Sequence, residues 1–185
     1  AVDKLPNYLK SIGDGAFTNC KKISKVGIPS SVTNIGISAF QGCSSMTQCI
    51  FAEDIQLERI SVDVFSECEK LEKMDIPSSV TSIENRAFCM CSSLKEVKFK
   101  ADSKLKSIGN MAFSSDNALE IFKIPAGVKR IEFGALSYCP ALNEVTFLGD
   151  FPELNMIFGS DGKTATVTYY ACNDTWNSSE AEEFF

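Results

Sequence analysis

Two cysteines one residue apart, Cys89 and Cys91 in the segment AFCMC (87–91), are the first residues whose spacing could support chemistry. Such a pair could bind a soft metal or act in redox exchange. The chain has 8 cysteines but no histidine, so the commonest metal ligand and general base are both missing. No Ser–His–Asp or Cys–His arrangement can form. Only mechanisms that use carboxylates or lysine remain, and no motif with such spacing is present.

Most of the cysteines belong to an internal repeat of 22 to 25 residues. An aromatic residue preceded by Ala or Val recurs at spacings of 23, 25, 23 and 25 residues, and each repeat places the same residue types around it. This agreement over six repeats indicates a stacked repeat protein. The aromatic column is Phe17, Phe40, Phe65, Phe88 and Phe113, followed by Leu136 and Phe158; an isoleucine column, Ile12 to Ile131, precedes it; a cysteine ladder of Cys20, Cys43, Cys68, Cys91 and Cys139 follows it.

Each repeat is expected to contribute one short strand. Segments such as LKEVKF (94–99) and LEKMDI (71–76) alternate apolar and polar residues at the end, which is the period of a strand. One strand per repeat at a fixed period predicts parallel strands that bury their apolar face only by stacking. Alternate repeats continue with IPSSV or IPAGV, and the others carry links two residues longer. The segments around the aromatic residues predict brief helical or 3₁₀ turns on the convex side, with Asp14, Asn85 and Asn110 as N-caps.

These residues closely resemble the BspA-like leucine-rich repeats. The segment KSIGDGAFTNCKKISKVGIPSSVTNI (10–35) nearly reproduces the repeat pattern of that family. The resemblance implies an α/β fold: a right-handed leucine-rich-repeat solenoid over residues 1–185 as a single domain. Six regular repeats would span 9–149, and 150–185 would hold a degenerate last repeat and a C-terminal cap. It also implies a secreted or surface protein of host-associated bacteria or protists, with a role in adhesion to host or matrix proteins.

Composition and charge narrow the classes of function. The net charge of −6 is unfavourable for binding nucleic acid, which requires a basic face. No apolar run approaches the roughly 20 residues that cross a bilayer, so no membrane insertion is expected. The first ten residues lack the basic-then-apolar order of a signal peptide, so an export signal would lie outside this sequence. We expect a monomer and no cofactor or metal.

The cysteine ladder has three possible interpretations: disulfides, a soft-metal site, or a column of packed thiols. Zinc needs four ligands that converge on one point, whereas a ladder places them in a line, and parallel side chains disfavour disulfides. We therefore expect buried, unreactive thiols, and extend this to Cys49 on a strand. Only Cys89, outside the ladder, and Cys172, near the terminus, are candidates for exposure.

The outward positions of the strands are the candidate binding residues. They differ freely between repeats and combine charges of both signs with isoleucine at Ile50 and Ile121. An ordinary solvated face would explain the charges, and a concave recognition surface would explain the apolar residues as well. The predicted protein-binding residues are Lys73, Asp75, Glu96, Lys98, Ile121 and Lys123.

The favoured function is a non-enzymatic protein-binding or adhesion module whose partner is a host extracellular or surface protein. The alternative is a structural spacer that displays another domain. The C-terminal segment holds two glycosylation sequons, at Asn173 and Asn177. Motifs this short often arise by chance. Trp176 and the last two phenylalanines are expected to cover the open end of the last repeat.

Overall fold

The structure is a computed structural model that describes residues 3–150, 152–158 and 166–169. In these residues the chain forms strands of two sets that alternate along the sequence. The first set is β1 (Asp3–Lys4), β3 (Lys25–Ile28), β5 (Gln48–Phe51), β7 (Lys73–Ile76), β9 (Glu96–Phe99), β11 (Ile121–Ile124), β13 (Glu144–Phe147) and β15 (Thr166–Tyr169). The second set is β2 (Ser11–Ile12), β4 (Asn34–Ile35), β6 (Arg59–Ile60), β8 (Ser82–Ile83), β10 (Ser107–Ile108), β12 (Arg130–Ile131) and β14 (Glu153–Leu154).

Each set forms its own layer of parallel strands, and each repeat supplies one strand to each layer. The first layer contains the sheets β1-β3-β5-β7-β9 and β11-β13-β15, and the second contains β2-β4 and β6-β8-β10-β12-β14. The predicted stack of parallel strands, with one short strand from each repeat, is confirmed. Each repeat also adds a second strand that the sequence did not predict. The second-set strands have two residues each, too short to show the alternation that identifies a strand in sequence.

The apolar columns form one continuous core between the layers. Phenyl rings of successive repeats stack with centroids 5.0, 5.6, 5.5 and 5.1 Å apart. Phe40 to Phe113 are fully buried, while Phe17, in the first repeat, is only partly covered. The isoleucine column from Ile12 to Ile131 is buried as well. The predicted stack of aromatic and isoleucine columns is therefore confirmed.

The segments that carry the aromatic residues are successive tight turns. No helix is present in the described residues, so the predicted helical or 3₁₀ turns are wrong. Two positions per repeat, two residues before and two after the aromatic, have positive φ, as at Asp63 (53°) and Glu67 (61°). Left-handed residues interrupt a helix. The N–H of Phe65 instead donates to the carbonyl of Ala87 in the next repeat at 2.9 Å.

The predicted N-caps have a different role. The Asp14 carboxylate accepts from the N–H of Ile37 at 2.8 Å, and the Asn85 side-chain oxygen accepts from the N–H of Asn110 at 2.9 Å. Each bond joins one repeat to the next across 23 or 25 residues of chain. These polar side chains therefore hold adjacent turns together, because the turn backbone has no helix end to cap.

Two pairs of neighbouring strands in the first layer lack most or all of their ladder pairs. We call these two positions, between β5 and β7 and between β9 and β11, the open joints. Most neighbouring four-residue strands pair over all four residues, as Lys73↔Glu96 to Ile76↔Phe99 in β7 and β9. Between β5 and β7 the ladder contains only Gln48↔Lys73. Within the described part of the chain, no ladder pair joins β9 to β11, and the sheet is divided there.

The last described repeat continues the stack. Strand β14 pairs with β12, and β15 pairs with β13 over four residues. Ile157 is buried, so this repeat still contributes to the core. Cys172, Trp176 and the sequons at Asn173 and Asn177 lie outside the described residues. No helix in the described residues has the length and apolar character needed to cross a membrane.

Candidate binding surface on the strand face

The six predicted binding residues lie on three successive strands of the first layer. We call the outward side of this layer the strand face. Strand β7 carries Lys73 and Asp75, β9 carries Glu96 and Lys98, and β11 carries Ile121 and Lys123. Glu96 is half-buried and the other five are exposed. The intervening residues Met74, Val97 and Phe122 point into the core, so the strand period fixes the six side chains outward.

The charges on this surface alternate between neighbouring strands. The register places Lys73 beside Glu96 and Asp75 beside Lys98, at the strand spacing of about 4.8 Å. Within β9, the Lys98 Nζ lies 3.2 Å from a carboxylate oxygen of Glu96. Both side chains are about half exposed, so this ion pair contributes little to stability. Its charges remain accessible to a partner.

A groove of about 700 Å³ lies between β9 and β11. Five of the six predicted residues line it, and Asp75 lines a second groove of about 320 Å³ between β5 and β7. Glu120, one position before β11, also lines this groove. The sequence did not identify four further lining residues, the charged Glu72 and Lys95 before the two preceding strands and the apolar Phe99 and Leu148.

Not every outward position is exposed. Thr146 also occupies an outward strand position, which the strand period predicts to face solvent, but it is only 4% exposed, and its hydroxyl donates to a carboxylate oxygen of Glu144 at 2.8 Å. The register places Lys123 and Thr168 on its two sides. A small side chain with fully paired strands on both sides is screened from solvent, so the prediction is wrong at this position.

The cysteine ladder is a structural element. The Cys68 thiol donates to the carbonyl of Phe40 at 3.2 Å and the Cys91 thiol to that of Phe65 at 3.1 Å. Cys43 and Cys139 make the same contact with the preceding repeat. Free thiols are found at Cys20, Cys43, Cys49, Cys68, Cys89 and Cys91. Burial raises the pKa of Cys43 to about 11, and a thiol that stays protonated at neutral pH is a poor nucleophile.

Cys89 is also buried, at 8% exposure, so the suspicion that it would be exposed is wrong. It occupies the position directly after the aromatic residue, where Ser66, Ser114 and Ser137 are buried as well. Burial raises its pKa to about 11. In the described residues no group of three or more Cys, Asp or Glu side chains could hold a metal ion. The two thiols of AFCMC therefore occupy different columns of the repeat, Cys91 in the ladder and Cys89 in the buried position that serine holds elsewhere.

Asp116 takes the ladder position in the fifth repeat and is fully buried. Its Oδ1 accepts from the N–H of Cys91 at 2.9 Å, whereas Oδ2 has no hydrogen-bond partner. Burial raises the pKa of this carboxyl well above its usual range. The site is a single buried acid beside the thiols of Cys89 and Cys91. It affects stability and offers no reactive group to a ligand.

Comparison with known proteins agrees with the repeat architecture. A comparison with curated proteins found no match. Among solved structures, the chain is similar to the T. pallidum leucine-rich repeat protein (TpLRR), with 27% identity, a TM-score of 0.73, and coverage of 83% of this chain and 72% of that one. A leucine-rich repeat protein from Bacteroides ovatus ATCC 8483 has the same fold at 20% identity and a TM-score of 0.70. The match covers 91% of this chain and 49% of that one, so this chain spans about half of it.

The family model described as "BspA type Leucine rich repeat region" matches residues 3–97 and 58–157, with six copies of the repeat. These ranges include most of the chain and the repeats that form the strand face. The chain therefore belongs to the BspA-type leucine-rich repeat family.

Proposed function

We propose that this chain is a non-enzymatic protein-binding module that uses the strand face to bind a host extracellular or matrix protein. The observation that carries the proposal is the groove between β9 and β11, where five of the six predicted residues meet. Ile121 is 43% exposed, and positively charged lysines and negatively charged glutamates surround it. A rigid surface with an apolar centre and a charged rim is the usual composition of a protein interface.

The strand face has the size that such an interface requires. A standard complex buries about 800 Å² on each partner, which four or five neighbouring repeats would supply. Charges at the rim act mainly on association rate and specificity. Binding should therefore weaken as salt is added but persist, because the apolar contact is not screened.

Membership of the family supports an interaction role, since leucine-rich repeat domains are typically non-enzymatic repeat modules. The family resemblance is also the ground for placing the protein outside the cell or on its surface, acting as a monomer in adhesion. Cell fractionation with surface proteolysis tests that location. A spacer that displays another domain remains the alternative, and it predicts that the isolated chain binds no partner.

The test is capture of host extracellular proteins by the purified chain, followed by affinity measurement with the captured partner. Reversing Lys98 and Lys123 together to Glu should reduce the affinity about tenfold or more, with a nearly unchanged melting temperature because both side chains are exposed. Substitutions on the turns at Asn85 and Asn110 are the controls. If those turn substitutions abolish binding and the lysine reversals do not, the strand face is not the binding surface.

A further inference from the structure

The two open joints of the first layer coincide with the two longer steps of the repeat. The aromatic spacing is 25 residues from Phe40 to Phe65 and from Phe88 to Phe113, and 22 or 23 elsewhere. Strands separated by the shorter steps pair over four residues. Strands separated by 25 residues form one ladder pair, β5 with β7, or none, β9 with β11. The two additional residues lie in the link that precedes the next second-set strand, so the alternation in length opens every second joint in this region.

Opening the joints exposes part of the core. The last residue of each strand is 1 or 2% exposed at Ile28, Ile76 and Ile124. On the β5 and β9 sides of the two open joints the same position holds Phe51 and Phe99, and both are only partly buried. The exposed isoleucines of the strand face lie at the same joints, with Ile50 at 40% and Ile121 at 43%.

The two grooves therefore have an apolar floor and a charged rim. Ile50 and Phe51 line the groove between β5 and β7, and Ile121 and Phe99 line the one between β9 and β11. Volumes of about 320 and 700 Å³ lie in the range of pockets that hold a ligand group.

The rims differ in charge. Around the larger groove stand four lysines and three glutamates, a positive excess in a chain of net charge −6. Around the smaller groove Lys73 and Lys100 balance Glu53 and Asp75. The larger groove therefore favours a partner segment that has an acidic residue next to the side chain entering the groove.

We propose that each groove takes one apolar side chain of an extended segment of the partner, and that an acidic residue lies beside the side chain in the larger groove. This inference rests on the proposed function and specifies how the partner is recognised. Two paired strands, β7 and β9, separate the grooves, so their centres are about 10 Å apart or more. An extended segment rises about 3.3 Å per residue and its side chains alternate between two faces, so apolar residues four positions apart, about 13 Å, point the same way and reach both grooves.

The probe is a displayed library of random 12-residue peptides selected on the purified chain. The selected peptides should carry two apolar residues four positions apart, with Asp or Glu beside one of them. Ile121→Glu should weaken their binding at least tenfold, and Ile50→Glu should weaken it as well. Ile37→Glu is the matched control, because Ile37 is 51% exposed on a turn and its replacement should leave binding unchanged.

Failure to select peptides, or selected peptides that bind Ile121→Glu as tightly as the unchanged chain, would overturn the groove inference. The double reversal of Lys98 and Lys123 separates this result from failure of the proposed function. A captured protein partner that is sensitive to the reversal but not to Ile121→Glu would leave strand-face binding in place and reject the grooves. A partner insensitive to all of these substitutions would reject both.

Discussion

Replacing Asp116 with cysteine should stabilise the protein at neutral pH, although the change removes a hydrogen bond. The wild-type carboxyl is fully buried and its Oδ2 has no partner. A cysteine would restore the ladder contact that Cys91 makes with Phe65 and Cys139 makes with Phe113, here with the carbonyl of Phe88. The Cys91 N–H would keep its turn bond to the Phe88 carbonyl, now at 3.2 Å.

The magnitude follows from the cost of the unpaired oxygen. A buried polar atom without a partner costs about 1–3 kcal/mol, and the thiol bond that replaces it is weak. We therefore expect a gain in unfolding free energy of about 2 kcal/mol at pH 7. For a chain of this length, that gain corresponds to a rise in melting temperature of about 4–8 °C.

The gain should depend on pH, because burial raises the pKa of Asp116 above its ordinary value of 3.8. The folded chain holds this proton more tightly than the unfolded chain does. Wild-type stability due to this group is fully present below pH 3.8 and is lost as pH rises towards the folded pKa. The advantage of Asp116→Cys over wild type should therefore grow from acid to neutral pH.

Urea unfolding of both proteins across that pH range, in the presence of reductant, measures the difference directly. Asp75→Asn is the control, since Asp75 is exposed and its replacement should give a small difference in stability at pH 7. An Asp116→Cys protein that is less stable than wild type at pH 7, or whose advantage does not change with pH, would refute this explanation of the ladder.

Three further predictions concern the core and the turns. Phe65→Ala should cost about 3–5 kcal/mol in urea unfolding, because the ring is fully buried between two others; a loss below 1 kcal/mol would mean that the stack does not hold the repeats together. Cys68 and Cys91 should react with a thiol reagent only on unfolding, since burial raises the pKa of both thiols; stoichiometric native labelling would contradict the ladder. Arg86→Met should destabilise by about 1–3 kcal/mol, because it leaves the mostly buried Asp63 carboxylate without its two guanidinium contacts at 2.7 and 2.8 Å; a neutral effect in thermal melting would show that the pair is not needed.

The features that could be predicted from the sequence are those repeated in every turn of the solenoid. A residue that packs on its own counterpart in the next repeat must keep its type, as Phe40 and Phe65 do. The stacked columns, the parallel strands and the outward positions of Lys73 and Lys98 follow from that regularity. The burial of Cys43, Cys68 and Cys91 follows from it too.

The turns and the grooves could not be predicted in the same way. The left-handed residues Ser38, Arg86 and Met111 share no residue type, because the conformation is imposed by hydrogen bonds to the next repeat. Cys89 was judged as an isolated thiol, whereas it occupies the repeat position at which buried serines stand in other repeats. The 23 and 25 alternation was visible in the sequence, but the loss of strand pairing that accompanies it appears only in the register.

The central claim is that the strand face binds the partner. The most direct test is lysine footprinting by mass spectrometry, comparing the free chain with its complex with a captured partner. If the strand face binds, acetylation of Lys73, Lys98 and Lys123 should slow markedly in the complex. The exposed turn lysines Lys21 and Lys70 should react at the same rate as in the free chain. Protection of Lys21 and Lys70 with unchanged reactivity at Lys73, Lys98 and Lys123 would contradict the account.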